Sequence, residues 1–192
     1  MTDNHPRTIR LTDPRAMRAL AHPLRLRLLG ELRMRGPQSV GMLCDLVDEA
    51  PGSVSYHIGK LAEFGFVETA PELARDRRER WWRSAHGQTS WDPLETLNDP
   101  EQRAAGTVLR RAILQRNTAS FEAYLEAEAT MEPDWVRGHA SGDAFLQLTS
   151  EELNELRAEL EALTERWQAR SAPDRPGVHT VTLMYQAFRR AE

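Results

Sequence analysis

The chain has 192 residues, 40% of them apolar and 28% charged. That is room for one large domain or two small ones, with a globular rather than disordered or collagen-like make-up. No run approaches the ~18 apolar residues of a membrane helix, and the opening MTDNHPRTIR has no apolar stretch resembling a signal peptide. A lone Cys44 excludes an internal disulfide and fits a reducing cytoplasm, so a cytoplasmic protein without membrane contact is expected. The net charge of −4 divides into +3 through Trp91 and −7 beyond it, so an anionic partner is expected for the first part only.

Asp13-Pro14 predicts a helix start, with Asp as N-cap and Pro at the first helical position, and His22-Pro23 predicts a second. Leu24, Leu28, Leu29 and Leu32 keep helical spacing in that second helix, which Gly36-Pro37 stops. Ser39 caps a third helix carrying Val40, Leu43, Leu46 and Val47. Pro51-Gly52 separates it from a fourth, Ser53 to Phe64, ended by Gly65. Residues 66–69 then read as a short strand and 80–83 as its return, around a polar tip from Pro71 to Glu79. Helices, a tight turn, a further helix and a hairpin make up a winged helix-turn-helix.

Residues 84–98 read as a linker, giving a domain of residues 1–91 and a second of 92–192. In the second, Asp99-Pro100 caps a long helix to about Met131 with Val108, Leu109, Ile113, Phe121, Tyr124 and Leu125 as its apolar residues. Thr149 and Glu152 form a capping box for a helix with Leu153, Leu156, Leu160, Leu163 and Trp167, a heptad seam about two heptads long. Strands are expected at 145–148 and 178–188, completing a βαβ-like unit. The expected fold is mainly α with small β: a winged helix-turn-helix domain followed by a helical α+β domain. The seam serves dimerisation or packs inside its own domain. Phe121, Tyr124, Met131, Trp135, Trp167, Met184 and Tyr185 read either as plain core or as the lining of an effector pocket.

On the helix 53–64, Val54, Ile58, Leu61 and Phe64 fall on one side. Gly52, Ser55, Tyr56, Gly59, Lys60 and Glu63 fall on the other. Small residues permit close approach to a groove, and hydroxyls, Tyr and Lys reach base edges or phosphates; an ordinary amphipathic helix with a solvated outer face shows the same split. The hairpin narrows the choice. Arg75, Arg77, Arg78 and Arg80 crowd its tip, where guanidinium groups suit phosphates and a narrow minor groove. His57 reads as a half-buried packing residue, His22 as the residue that starts its helix, and one of Trp81 and Trp82 as packing on the domain.

The run Leu20-Ala21-His22-Pro23-Leu24-Arg25-Leu26-Arg27-Leu28-Leu29 resembles the opening signature of the arsenic-repressor (ArsR) type of bacterial winged-helix regulators. Ser53-Val54-Ser55-Tyr56-His57-Ile58-Gly59-Lys60-Leu61, followed by Phe64-Gly65-Phe66-Val67, resembles that family's recognition helix running into its wing. The resemblance spans roughly residues 13 to 83. It implies a homodimeric repressor or activator with this helix in the major groove of a near-palindromic double-stranded operator. Ser53, Ser55, Tyr56 and Lys60 are then the DNA-facing positions, and the arginine tip touches the flanking backbone or minor groove. The family's thiolate sensors use two cysteines one residue apart; here Met42 stands at the first position and Cys44 at the second, so no metal site is expected.

No cofactor is implied, and an effector, if the second domain senses one, is undefined. No Gly-rich phosphate loop, HExxH motif or nucleophile elbow is present, so an enzyme is not expected. The competing reading keeps the winged fold but turns its helix and wing on a protein partner without direct DNA readout.

Overall fold

The computed structural model describes residues 8–74, 76, 79–172 and 175–191. Residues up to Glu126 form one compact unit and Ala127 onward a second.

The first unit begins with strand β1 (Thr8–Arg10) and two proline-started helices, α1 (Pro14–Leu20) and α2 (Pro23–Arg35). Each has the expected cap. Asp13 accepts from the Arg15 amide at 2.7 Å, and His22 accepts through Nδ1 from the Leu24 amide at 3.2 Å. Ser39, at the end of strand β2 (Gln38–Ser39), caps α3 (Val40–Val47) by accepting from Met42 at 3.3 Å. Asp48, in the left-handed region at φ 52°, closes α3. Arg27 of α2 donates to the Val47 and Leu46 carbonyls at 3.0 and 2.9 Å, satisfying acceptors that the helix end leaves open.

Helix α4 is Pro51–Glu63. Pro51 opens it from the first helical position rather than separating it from α3, since a proline there forfeits only an amide that has no intrahelical partner. Its end is a Schellman turn: the Phe66 amide donates to Leu61 and the Gly65 amide to Ala62, both at 3.0 Å. That turn needs the left-handed φ of 70° that Gly65 adopts, and it delivers Phe66, fully buried, beneath the helix.

Strands β3 (Val67–Thr69) and β4 (Trp81–Ser84) form the expected hairpin, with Glu68 opposite Arg83 and Thr69 opposite Trp82. A 3-10 turn, Pro71–Leu73, leads into its tip. The sequence reading missed three short strands. β2 pairs antiparallel with β4, giving the order β2-β4-β3, and β1 pairs parallel with β5 (Gln88–Ser90). Two or three residues are too few to show alternation, so only the pairing reveals them.

The core gathers Met17, Leu28, Leu32, Leu43, Val54, Ile58, Leu61 and Phe66, each at most 1% exposed. Leu26 is also buried, whereas Leu24, expected inside, is only half-buried. The segment 84–98 is not a bare linker, because it holds β5 and helix α5 (Pro93–Leu97). Helix α6 (Pro100–Ala127), which Asp99 caps by accepting from Glu101 at 2.7 Å, sends Ala105, Leu109 and Ala112 into the same core. The first unit therefore reaches past residue 91. Val108, Leu114, Phe121 and Leu125 on the same helix are exposed.

The second unit holds a 3-10 turn (Glu128–Thr130), a short helix α7 (Pro133–Arg137) and α8 (Ser150–Arg170) with its capping box complete. The expected strands at 145–148 and 178–188 carry no strand pairing, and their apolar side chains face outward, with Phe145 81% and Phe188 73% exposed. An alternating pattern makes a strand only where a neighbour completes the ladder, and neither segment has one. Leu153, Leu156, Leu160 and Leu163 are half-buried, and no described residue of this unit is fully buried. The chain as a whole is mainly α with small sheets, a helix-turn-helix near its start and helices and short strands after it.

Candidate nucleic-acid interface

Helix α4 divides as its periodicity requires. Val54, Ile58 and Leu61 are sealed against α2 and α3, so the opposite face is fixed outward. On that face Ser55, Tyr56 and Gly59 are exposed, Tyr56 by 59%, while Ser53 and Lys60 are half-exposed. Lys60 is not a free cation: its Nζ donates to Glu63 at 2.7 Å, and that hydrogen bond holds its pKa above the usual lysine value. Any phosphate that takes Lys60 must compete with this solvent-exposed and therefore weak pair.

The hairpin stands next to α4 through the Schellman turn. Arg83 bridges it by donating to Glu68 at 2.7 Å and Glu72 at 2.5 Å, so this arginine braces the wing. Arg80 is exposed and has no ion pair among the described residues. Arg75, Arg77 and Arg78 lie outside the described residues. Trp82 packs on the core. Trp81 lines a cleft at the hairpin with Thr69 and Pro71, and its buried indole nitrogen has no hydrogen-bond partner among the described residues.

The sequence reading did not foresee a cluster that ties α4 to the start of α2. The His57 ring lies 4.4 Å from that of His22 and meets Tyr56 edge-on at 5.1 Å. Arg25 approaches His57 Nδ1 at 3.3 Å and also donates from Nε to the Ala19 carbonyl. The half-burial expected of His57 is what the structure has. His22 and Arg25 are three residues apart on one helical face, but only the packing of α2 on α4 brings His57 to them.

Desolvation first, then the Arg25 charge for His22 and the His22 and Arg25 charges for His57, hold both imidazoles below their ordinary 6.5, with Glu49 pulling weakly the other way. Below about pH 6.5 the unfolded chain therefore binds protons that the folded one resists, and stability is lost as the pH falls. A Tm series from about pH 7.5 to 5 is expected to show this decline, and His57→Gln is expected to make it shallower.

Cys44 is half-buried and packs against the core. Among the described residues no three His, Cys, Asp or Glu side chains gather as a metal site would require, and no helix is long and apolar enough to cross a membrane. Of the residues considered for an effector pocket, Phe121 and Tyr124 stack on each other at 5.9 Å. Trp135 meets His179 edge-on, and Trp167 lies under Arg170.

A helix seated on its predecessors, a polar outer face and a β-hairpin beside it define the class: a helix-turn-helix domain with a wing, the architecture of DNA-binding regulators. The family model for a helix-turn-helix domain matches residues 20–70, from the end of α1 through α4 to the end of β3. No curated protein matches the chain.

Proposed function

We propose that the protein is a sequence-specific, homodimeric transcriptional regulator of the arsenic-repressor type, with α4 in the major groove of a near-palindromic operator. The observation that carries this reading is the outer face of α4, where Tyr56 projects between the small residues Ser55 and Gly59 while the inner face is sealed. Ser53, Ser55, Tyr56 and Lys60 read bases and phosphates, and Arg75, Arg77, Arg78 and Arg80 rest on the flanking backbone or minor groove. Residues 92–192 serve dimerisation: the exposed apolar residues of α6 and the half-buried seam of α8 are surfaces that a second copy would cover.

The test is fluorescence anisotropy of the full chain against duplex DNA from upstream of its own coding region, with a scrambled duplex as control. Affinity is expected to favour the upstream duplex. If about six phosphates are contacted, it is expected to fall roughly a thousandfold between about 50 and 200 mM salt. Binding that is flat in salt, or blind to sequence, would overturn the reading and turn the wing and helix toward a protein partner.

A further inference from the structure

The cluster where α2 meets α4 is rich in donors and short of acceptors. His22 Nδ1 accepts from the Leu24 amide at 3.2 Å, so its neutral ring carries the proton on Nε2. A guanidinium can only donate, so the 3.3 Å approach of Arg25 Nη1 makes His57 Nδ1 an acceptor and puts the His57 proton on Nε2 as well. Arg25 also donates from Nε to the Ala19 carbonyl. Both imidazole Nε2–H groups and three of the five N–H groups of Arg25 are left without an acceptor among the described residues. Glu49, between α3 and α4, is the carboxylate that acts on both rings, yet no ion pair reaches His22, Arg25 or His57 among the described residues.

Half-buried donors around a guanidinium are what an oxyanion needs. The place of the cluster says which one. The His57 ring meets that of Tyr56 edge-on at 5.1 Å, and Tyr56 is the most exposed large side chain of α4. A major groove about 12 Å wide is walled by phosphates on both sides, so groups this close to the reading side chain reach its wall. The titratable groups around His57 are His22 and Arg25 from α2, Tyr56 and Lys60 from α4, and Glu49. Lys60 is occupied by Glu63. From α1 the cluster receives the Ala19 carbonyl.

We propose that Arg25 and His57 together bind one backbone phosphate of the DNA, and that His57 takes up a proton from solvent as the phosphate arrives. In the free protein desolvation and the neighbouring charges of His22 and Arg25 keep His57 neutral near pH 7. Protonation places a hydrogen on Nδ1, which deprives Arg25 Nη1 of its acceptor and sets two cations against each other. A phosphate between them accepts from both and removes that penalty. His22 keeps its Nδ1 for the cap of α2 and so stays neutral. Because the bound state holds the extra proton, affinity rises as the pH falls.

The experiment is anisotropy of the full chain against the upstream and scrambled duplexes at about pH 7.5 and about pH 6, at fixed salt. Both duplexes are expected to bind about three- to tenfold tighter at the lower pH, since a backbone phosphate carries no sequence; tenfold corresponds to about 1.4 kcal/mol. His57→Gln keeps a side-chain donor but cannot take the charge, and is expected to flatten the pH response while leaving affinity at pH 7.5 within about twofold. Arg25→Gln is expected to weaken both duplexes alike and to reduce the salt slope by about one. Should Arg25→Gln fail to fold, the pH response of His57→Gln decides alone. Equal affinity at both pH values, a pH response that survives His57→Gln, or an unchanged salt slope in a folded Arg25→Gln chain would overturn the proposal. The proposal rests on α4 as the reading helix, and the two failures are distinguishable. Preference for the upstream duplex without a pH response removes this site alone, whereas absence of binding to either duplex at both pH values overturns both.

Discussion

Replacing Tyr56 by Ala is expected to weaken binding to the specific duplex by about 1–3 kcal/mol, or roughly five- to 150-fold, with little change for the scrambled duplex. The ring is 59% exposed and meets the edge of His57, so removing it takes little from the fold. The Tm is therefore expected to stay within what about 0.5 kcal/mol would move. Tyr56→Phe separates the hydroxyl from the ring: a loss as large as that of Ala assigns the readout to a hydrogen bond, and a small loss assigns it to ring contact with a base or sugar. Anisotropy on both duplexes decides the matter. Equal loss on both would make Tyr56 a positioning contact, and no loss on either would remove α4 from the interface.

Leu109→Ala is expected to cost about 2–5 kcal/mol, lowering Tm on the order of 10 °C, although the residue lies 18 positions beyond the segment expected to hold the whole DNA-binding domain. Leu109 is 1% exposed within the same core as Met17 and Leu20. Beside it α6 lies against α1 and α5, where a Cβ on Gly106 would make ordinary contacts, 3.9 Å from Met17 Sδ and 4.0 Å from Thr96 Cγ2. Arg110, one residue away on the exposed side of the helix and charged, is the control: Arg110→Ala is expected to leave Tm nearly unchanged. Thermal denaturation of both variants checks the contrast. A chain ending at residue 91 lacks Ala105, Leu109 and Ala112, leaves the apolar side of α1 open to water, and is expected to be far less stable than one ending at 126. A fully stable 91-residue fragment would show that α6 is an accessory to this core.

The candidate interface was readable to different degrees. The split of α4 followed from spacing alone, because a 3.6-residue period permits one arrangement of Val54, Ile58 and Leu61 and so exposes Tyr56 on the other side. The Lys60–Glu63 pair was implicit in the same spacing, since residues three apart on a helix are neighbours. The His22–Arg25–His57 cluster was not readable, because 35 positions separate the two histidines and only helix packing joins them. The Arg83 brace depended on strand register, which places Glu68 opposite it, and a slip of one residue would have turned it to the other side of the sheet.

The sequence by itself determined the local elements of this protein: the proline-started helices, the caps at Asp13, Ser39 and Thr149, the glycine turn at 65 and the amphipathic division of α4. These depend on interactions within a few residues, which side-chain type and spacing specify directly. Only the tertiary structure decided that β2 completes the wing's sheet, that β1 and β5 pair, that α6 closes the first core, and that the alternating segments at 145–148 and 178–188 form no strands. Each of those outcomes turns on whether a distant segment supplies a ladder or an apolar surface, and that is a property of the folded chain rather than of any stretch within it.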